Sequence, residues 1–71
     1  MQEKHLGVNI RKLRKEHGLT QMQLAEKMGL GATAIVNYES GYSAPPANKL
    51  PKLAKALGVS LDRLFEGCYE D

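Results

Sequence analysis

Apolar residues recur along this chain at helical spacing. Leu6, Ile10 and Leu13 fall at i, i+4 and i+7, one stripe of a helix that runs to about Glu16 and ends at Gly18. Leu24 and Met28 repeat at i, i+4 in a second helix. Its start is marked by Thr20 as N-cap, with Gln23 three residues on at capping-box spacing. Leu30, Ile35 and Tyr38 carry the series into a third helix, from Ala32 to Tyr38 or Glu39, with Gly31 as a weaker cap. Leu50, Leu53, Ala54 and Leu57 make a fourth stripe, closed by Gly58. With Asn48 as its cap, Pro51 falls in the first turn, where a missing N–H matters little. Ser60 caps a fifth helix, from Leu61 to Phe65, which Gly67 stops. Between the third and fourth helices, SGYSAPPAN (40–48) reads as loop on its Gly, Ser and Pro-Pro content. No strand pattern, internal repeat or low-complexity segment interrupts the series. The chain is expected to be all-α, a compact five-helix bundle over residues 1–67 with 68–71 a frayed tail.

The centre of the chain, TQMQLAEKMGLGATAIVNYE (20–39), is the most specific segment. It reads as two short helices joined by a tight glycine turn. Ala25 is small enough to let two helices cross closely. Gly29, four residues later, can take the left-handed backbone that a sharp turn needs. Ile35, six residues beyond, is the apolar anchor that seats the second helix on the body of the domain. Together these describe a helix-turn-helix, whose second helix can lie in the DNA major groove.

A chain of 71 residues is one small domain that buries only about 60% of its unfolded surface. Its single cysteine, Cys68, rules out an internal disulfide framework and a CxxC metal site. Helix packing must hold it, with or without a partner subunit. No apolar run is long enough to span a membrane, and MQEKHLGVN has no signal core, so a cytoplasmic protein is the default. The net charge is only +2, but it is unevenly spread. Lys4, Arg11, Lys12, Arg14 and Lys15 face only Glu3 and Glu16 in the first twenty residues. Beyond Leu61 the balance reverses, with Asp62, Glu66, Glu70 and Asp71 against Arg63. That division fits one nucleic-acid face, and equally fits ordinary solvated helix faces.

LGVNIRKLRKEHGLTQMQLAEKMG, the YESG that follows, and KLPKLAKALGVSLDRLFEG resemble the DNA-binding domains of phage repressor and Cro proteins, within the wider xenobiotic-response-element-type helix-turn-helix family. The likeness covers residues 6 to 67. It implies a lambda-repressor-like bundle that binds double-stranded operator DNA, usually as a homodimer, with a recognition helix at about 31–39. By position, Ala32, Thr33, Val36 and Asn37 match family residues that face base edges. Thr20 matches a cap that also touches the DNA backbone. Gln21 matches a phosphate contact, a task suited to the free N–H groups of a helix N-terminus. Ser40 to Ser43, including Tyr42, match a loop that grips phosphates. Arg14 and Glu39 match an internal ion pair of some phage repressors, which makes Arg14 structural despite its charge. The chain departs from its relatives in having no Arg, Lys or Gln on the recognition helix, Gly31 where Ser or Thr is common, and Tyr42 where Lys is frequent.

Residue chemistry refines the picture. Asn37 is the only amide on the exposed face of the third helix. Paired to adenine N6 and N7 it is worth about 1–3 kcal/mol of discrimination. Ala32, Thr33 and Val36 offer methyl groups to thymine. The expected readout leans to A·T at the centre of each half-site; the alternative is a merely solvated Asn37. Affinity needs cations near phosphate, and Arg11, Lys27, Lys49 and Lys52 are candidates. Asn48 and Lys49 rank first because they adjoin the phosphate-gripping loop. Tyr42 either donates its hydroxyl to a phosphate or packs on Pro45–Pro46.

Leu64, Phe65 and Tyr69, with Leu61, form the expected dimer surface, since a terminal helix this apolar must cover something. Leu61 and Phe65 also suit the intramolecular core. Tyr38 reads as half core, and Met22 and Met28 as packing and surface filler. His5 and His17 read as solvent-facing, with no metal spacing, and Cys68 as an idle thiol. No nucleophile–base arrangement or phosphate-cradling loop is present, so neither an enzyme nor a cofactor is expected. A protein-interaction module on the same fold, an antitoxin or a regulator that holds a protein partner, is the second reading. Its interface would be insensitive to salt, unlike DNA binding.

Overall fold

The computed structural model describes residues 2–68, with side chains from Leu6 onward. Every regular element among them is helical: α1 (Gln2–Glu16), α2 (Gln21–Met28), α3 (Ala32–Ser40), a 3-10 turn (Ala47–Lys49), α4 (Leu50–Ala56) and α5 (Leu61–Leu64). The apolar stripes face inward and meet in one core. Ile10, Leu24, Met28, Ile35, Leu53, Leu57 and Leu64 are its fully buried centre. Both α1 and α2 pack on α3; α4 packs on α2, and α5 closes the bundle against α1 and α4. Leu6, Leu13, Ala25, Tyr38, Ala54 and Cys68 complete the core. Tyr38 is thus wholly buried rather than half so, and the methionines divide: Met28 is core and Met22 is exposed.

The turn between α2 and α3 follows from glycine. Gly29 takes φ 70° and ψ 30°, a left-handed conformation that other residues adopt only under strain. Its N–H bonds back to Glu26, and the Leu30 N–H reaches Ala25 at 2.9 Å. The Ala25 and Glu26 carbonyls, two of the last four of α2, are satisfied within the turn, and three residues separate α2 from α3. At the start of α2 the capping box forms in both directions: Thr20 Oγ1 accepts from the Gln23 N–H at 3.0 Å, and Gln23 Oε1 from the Thr20 N–H at 2.9 Å.

Another glycine, Gly7, lets two helices approach closely. A Cβ built there would stand 2.5 Å from the Tyr38 carbonyl oxygen and 2.7 Å from that of Glu39. Only a residue without a side chain lets α1 lie this close to the end of α3.

Four expectations require correction. Asn48 does not cap α4: it lies inside the 3-10 turn, whose backbone leads directly into the helix. Ser40 is the last residue of α3 rather than the first of the loop, because Gly41, at φ 83°, ends the helix one residue later. Leu64 is not a surface residue. It is 0% exposed, at the centre of the core, while Leu61 three residues earlier is 43% exposed. The short helix turns the opposite way from the one expected: Leu64 inward, Leu61 outward. Phe65 is half-buried against the core, and Tyr69 lies outside the described residues. Finally, Cys68 is not frayed. It is buried, and Asn9 Nδ2 reaches its Sγ at 3.9 Å after donating to the carbonyls of Leu64 at 3.0 Å and Glu66 at 2.7 Å. Residues 69–71 of the expected tail lie outside the described residues.

Candidate nucleic-acid interface

Three helices are tied together at one buried carboxylate. Arg14, near the end of α1, donates from Nε to Glu39 Oε2 at 2.6 Å and from Nη2 to Glu39 Oε1 at 3.1 Å. Its Nη1 donates to the Leu19 carbonyl at 2.8 Å. Gln21, the first residue of α2, donates from Nε2 to the same Glu39 Oε1 at 3.1 Å. The two ionic side chains are 9% and 5% exposed. The pair therefore sits in a medium that screens poorly, and its planar two-point geometry is the strong form of the Arg–carboxylate contact. One consequence is positional: the end of α1, the start of α2 and the end of α3 are fixed relative to one another. Another is electrostatic. Arg14 is consumed by Glu39 and presents no free charge outside.

Beside this network lies a depression of about 310 Å³ lined by Arg11, Gln21, Val36, Glu39 and Ser40. The first turn of α2 borders it through Gln21. With the Gln23 N–H taken by Thr20, the Gln21 and Met22 N–H groups remain open, as at any helix start. They carry the positive end of the helix dipole. Arg11 adds an exposed cation to a lining whose one carboxylate, Glu39, is paired with Arg14.

Along α3 the two faces divide sharply. Ile35 and Tyr38 are buried. Thr33 and Val36 are exposed and Asn37 is half-buried; their three- and four-residue spacings put them on one outward face. Ala32, half-buried, opens the helix beside them. No side-chain hydrogen bond within the described residues occupies the Asn37 amide, which leaves its donor and acceptor available. The loop after α3 folds back on the helix end. Ser43 N–H donates to the Asn37 carbonyl at 3.3 Å, Ser40 Oγ donates to the same carbonyl at 3.2 Å, and Tyr42 N–H donates to Ser40 Oγ at 3.3 Å. Tyr42 itself is 83% exposed, so its ring does not pack on the proline pair. Asn48 is exposed and Lys49 half-buried at the far end of the loop.

Of the expected residues, Gln21, Val36 and Ser40 line one depression; Thr20 precedes Gln21, Thr33 and Asn37 share the outward face of α3 with Val36, and Tyr42 and Ser43 follow Ser40 in the chain. Two features lay outside the sequence reading. Nothing in the sequence signals that the Gln21 side chain is engaged inside the domain, its Nε2 held by Glu39; only the folded proximity of α2 and α3 reveals this. Gly7 was passed over, although a glycine inside an apolar helical stripe is a recognisable sign of close packing. His17 is exposed, and the His5 side chain lies outside the described residues. Among the described residues no group of three His, Cys, Asp or Glu could hold a metal ion, and no helix is long and apolar enough to cross a membrane.

Comparison with known proteins places this surface in context. A family model for the helix-turn-helix matches residues 10–64. The helix-turn-helix-type transcriptional regulator YobD of Bacillus subtilis is 45% identical over 56 residues, covering 79% of this chain and 50% of YobD. The cryptic phage CTXphi transcriptional repressor RstR of Vibrio cholerae is 41% identical over 51 residues, covering 72% of this chain and 46% of RstR. The chain spans about half the length of these curated relatives. Among solved structures, the P22 c2 repressor in complex with a synthetic operator is similar at a TM-score of 0.80. It is 34% identical, with 87% of this chain and 94% of that one covered.

Proposed function

This chain belongs to the helix-turn-helix family, and from that premise we propose that it is a sequence-specific DNA-binding transcriptional regulator of the phage-repressor type, acting in the cytoplasm on a palindromic operator. The observation that carries the reading is the division of α3. Its inner face is locked in the core, while Thr33, Val36 and Asn37 project outward with their chemistry unspent.

In this reading α3 enters the major groove. The Asn37 amide pairs with adenine N6 and N7, and the methyl groups of Ala32, Thr33 and Val36 meet thymine methyls, giving an A·T-leaning half-site. Register comes from the phosphates. The Thr20 hydroxyl and the open N–H groups at the start of α2 grip one strand. Ser40, Tyr42, Ser43, Asn48 and Lys49 grip the other edge of the groove. Because its amide is held by Glu39, Gln21 contributes mainly through its backbone. The Arg14–Glu39 pair sets the pitch of α3 against α2 without touching DNA.

A two-fold operator calls for two copies with half-sites roughly 34 Å apart. Leu61, exposed on α5, and Phe65 one turn on are the residues we assign to the dimer contact; Leu64 has no part in it. The domain carries no catalytic role in this reading.

The test is selection from a randomised DNA pool at two salt concentrations. A two-fold-symmetric motif with A·T-rich half-site centres, lost at the higher salt, is the expected result. A folded, helical protein that enriches no sequence would overturn the reading.

A further inference from the structure

A second concave surface shares no lining residue with the depression beside the Arg14–Glu39 network. A groove of about 420 Å³ between α2 and α4 is lined by Lys27, Lys52, Lys55 and Ala56. Three ammonium groups from two helices thus share one depression with no carboxylate in its lining. Within the described residues none of the three is in an ion pair. Lys27 and Lys55 stand in the last turns of α2 and α4, where the negative end of a helix dipole favours a cation. Lys52 cannot be explained that way. It is the third residue of α4, near the positive end of the dipole, and α4 has no acidic residue in its first turn. Within the described residues neither a carboxylate nor a helix dipole engages its charge, which leaves it available to an external anion.

Location identifies the anion. A Cβ built on Gly29 would stand 4.0 Å from Lys52 Nζ, so this ammonium lies over the turn that leads into α3. Lys27 is five residues before Ala32, the start of that helix. A helix that inserts its N-terminal end into the major groove brings the segment just before it to the rim of the groove, where phosphates run. The reading helix itself carries no cation. The counterion release that drives binding must therefore come from lysines and arginines around it.

We infer that the Lys27–Lys52–Lys55 groove is a second phosphate-backbone seat, separate from the start of α2 and from the loop after α3, and that it takes DNA flanking the base pairs read by α3. The inference rests on the DNA-binding reading above.

The test compares the wild-type chain with the variant K27Q/K52Q/K55Q on duplex DNA carrying the selected operator. Each lysine that neutralises a phosphate adds about 0.9 to the slope of log K against log salt, so the variant's slope is expected to be shallower by roughly 2 to 3. Between 50 and 200 mM salt the wild type would then lose about 40-fold more affinity than the variant. The base preference selected by the two proteins is expected to stay the same. Ethylation interference gives a second readout: phosphates whose ethylation weakens the wild type but not the variant, outside the set belonging to the loop after α3. All three lysines are exposed, and circular dichroism checks that the variant is folded. A wild type that binds DNA while the variant keeps both slope and interference pattern overturns this inference alone, and leaves the groove to an acidic protein. A folded wild type that binds no DNA overturns the regulator reading as well.

Discussion

Replacing Glu39 with alanine strands the Arg14 guanidinium. The charge sits in a side chain only 9% exposed, and it loses both carboxylate contacts, at 2.6 and 3.1 Å, keeping one bond to the Leu19 carbonyl. Gln21 loses its acceptor as well. Removing one partner of a buried ion pair costs about 3–5 kcal/mol, chiefly because the remaining charge is desolvated without compensation. A domain of 71 residues has in total about 4–11 kcal/mol. Glu39→Ala is therefore expected to lower the urea midpoint by at least about 1 M, followed by far-ultraviolet circular dichroism. Urea is preferred to a guanidinium salt because it leaves the electrostatics intact. The informative companion is the double replacement Arg14→Met with Glu39→Leu. It removes the charge and the carboxylate together, and such apolar exchanges are often neutral or stabilising. The double variant should recover most of the stability that Glu39→Ala loses. It should still bind DNA less well, since Gln21 is released and α3 is no longer set against α2. If Glu39→Ala costs under about 1 kcal/mol, or the double variant is as unstable as the single one, the desolvation argument fails.

Further outcomes follow from other contacts. Gly7→Ala drives a Cβ into two backbone carbonyls that cannot swing aside, so overpacking of about 1–3 kcal/mol is expected in thermal unfolding, although alanine is the better helix former. Asn37→Ala should leave stability unchanged and relax the A·T preference of the half-site by about 1–3 kcal/mol, read by repeating the DNA selection with the variant. Thr20→Ala removes the hydroxyl half of the capping box and should lower stability by about 1 kcal/mol, measured by chemical denaturation. Burial pushes the Cys68 thiol above its ordinary range. The folded state then holds that proton where the unfolded chain releases it, so stability falls as pH rises past the ordinary thiol pKa. Cys68→Ala should abolish that part of the alkaline decline, and alkylation of the native thiol should be slow until the protein unfolds.

The helices were legible because their signals are local. Stripe spacing, the Thr20–Gln23 box and the glycines at 18, 29 and 58 each act over one or two turns, and the structure builds helices where they point. The outward face of α3 was legible for the same reason, since Ile35 and Tyr38 fix its rotation. What escaped depends on contacts between distant segments. α5 is too short for a periodicity to define its inner face; the packing of α1 and α4 against it decides that Leu64 enters the core. Asn48 looked like a cap because its side chain suits one, but the Pro45–Pro46 loop delivers the backbone into a 3-10 turn that needs none. Cys68 looked frayed because it is near the end of an acidic stretch, whereas an amide nearly sixty residues earlier bonds to Leu64, Glu66 and Cys68 itself. The lysine groove joins α2 to α4, and nothing in either helix alone signals that their cations converge.

That amide has a consequence for the order in which the domain is built. Asn9 grips the carbonyls of Leu64 and Glu66 across 55 and 57 residues of intervening chain. Closing a loop of that length costs roughly 3–4 kcal/mol of chain entropy, far more than the contact between α2 and α3, which are joined by a three-residue turn. The reading unit can therefore assemble early on local contacts. The clasp between α1 and the residues after α5 closes late, when most of the core is in place. During synthesis the Asn9 side chain must wait on the ribosome for residues 64–66 to emerge.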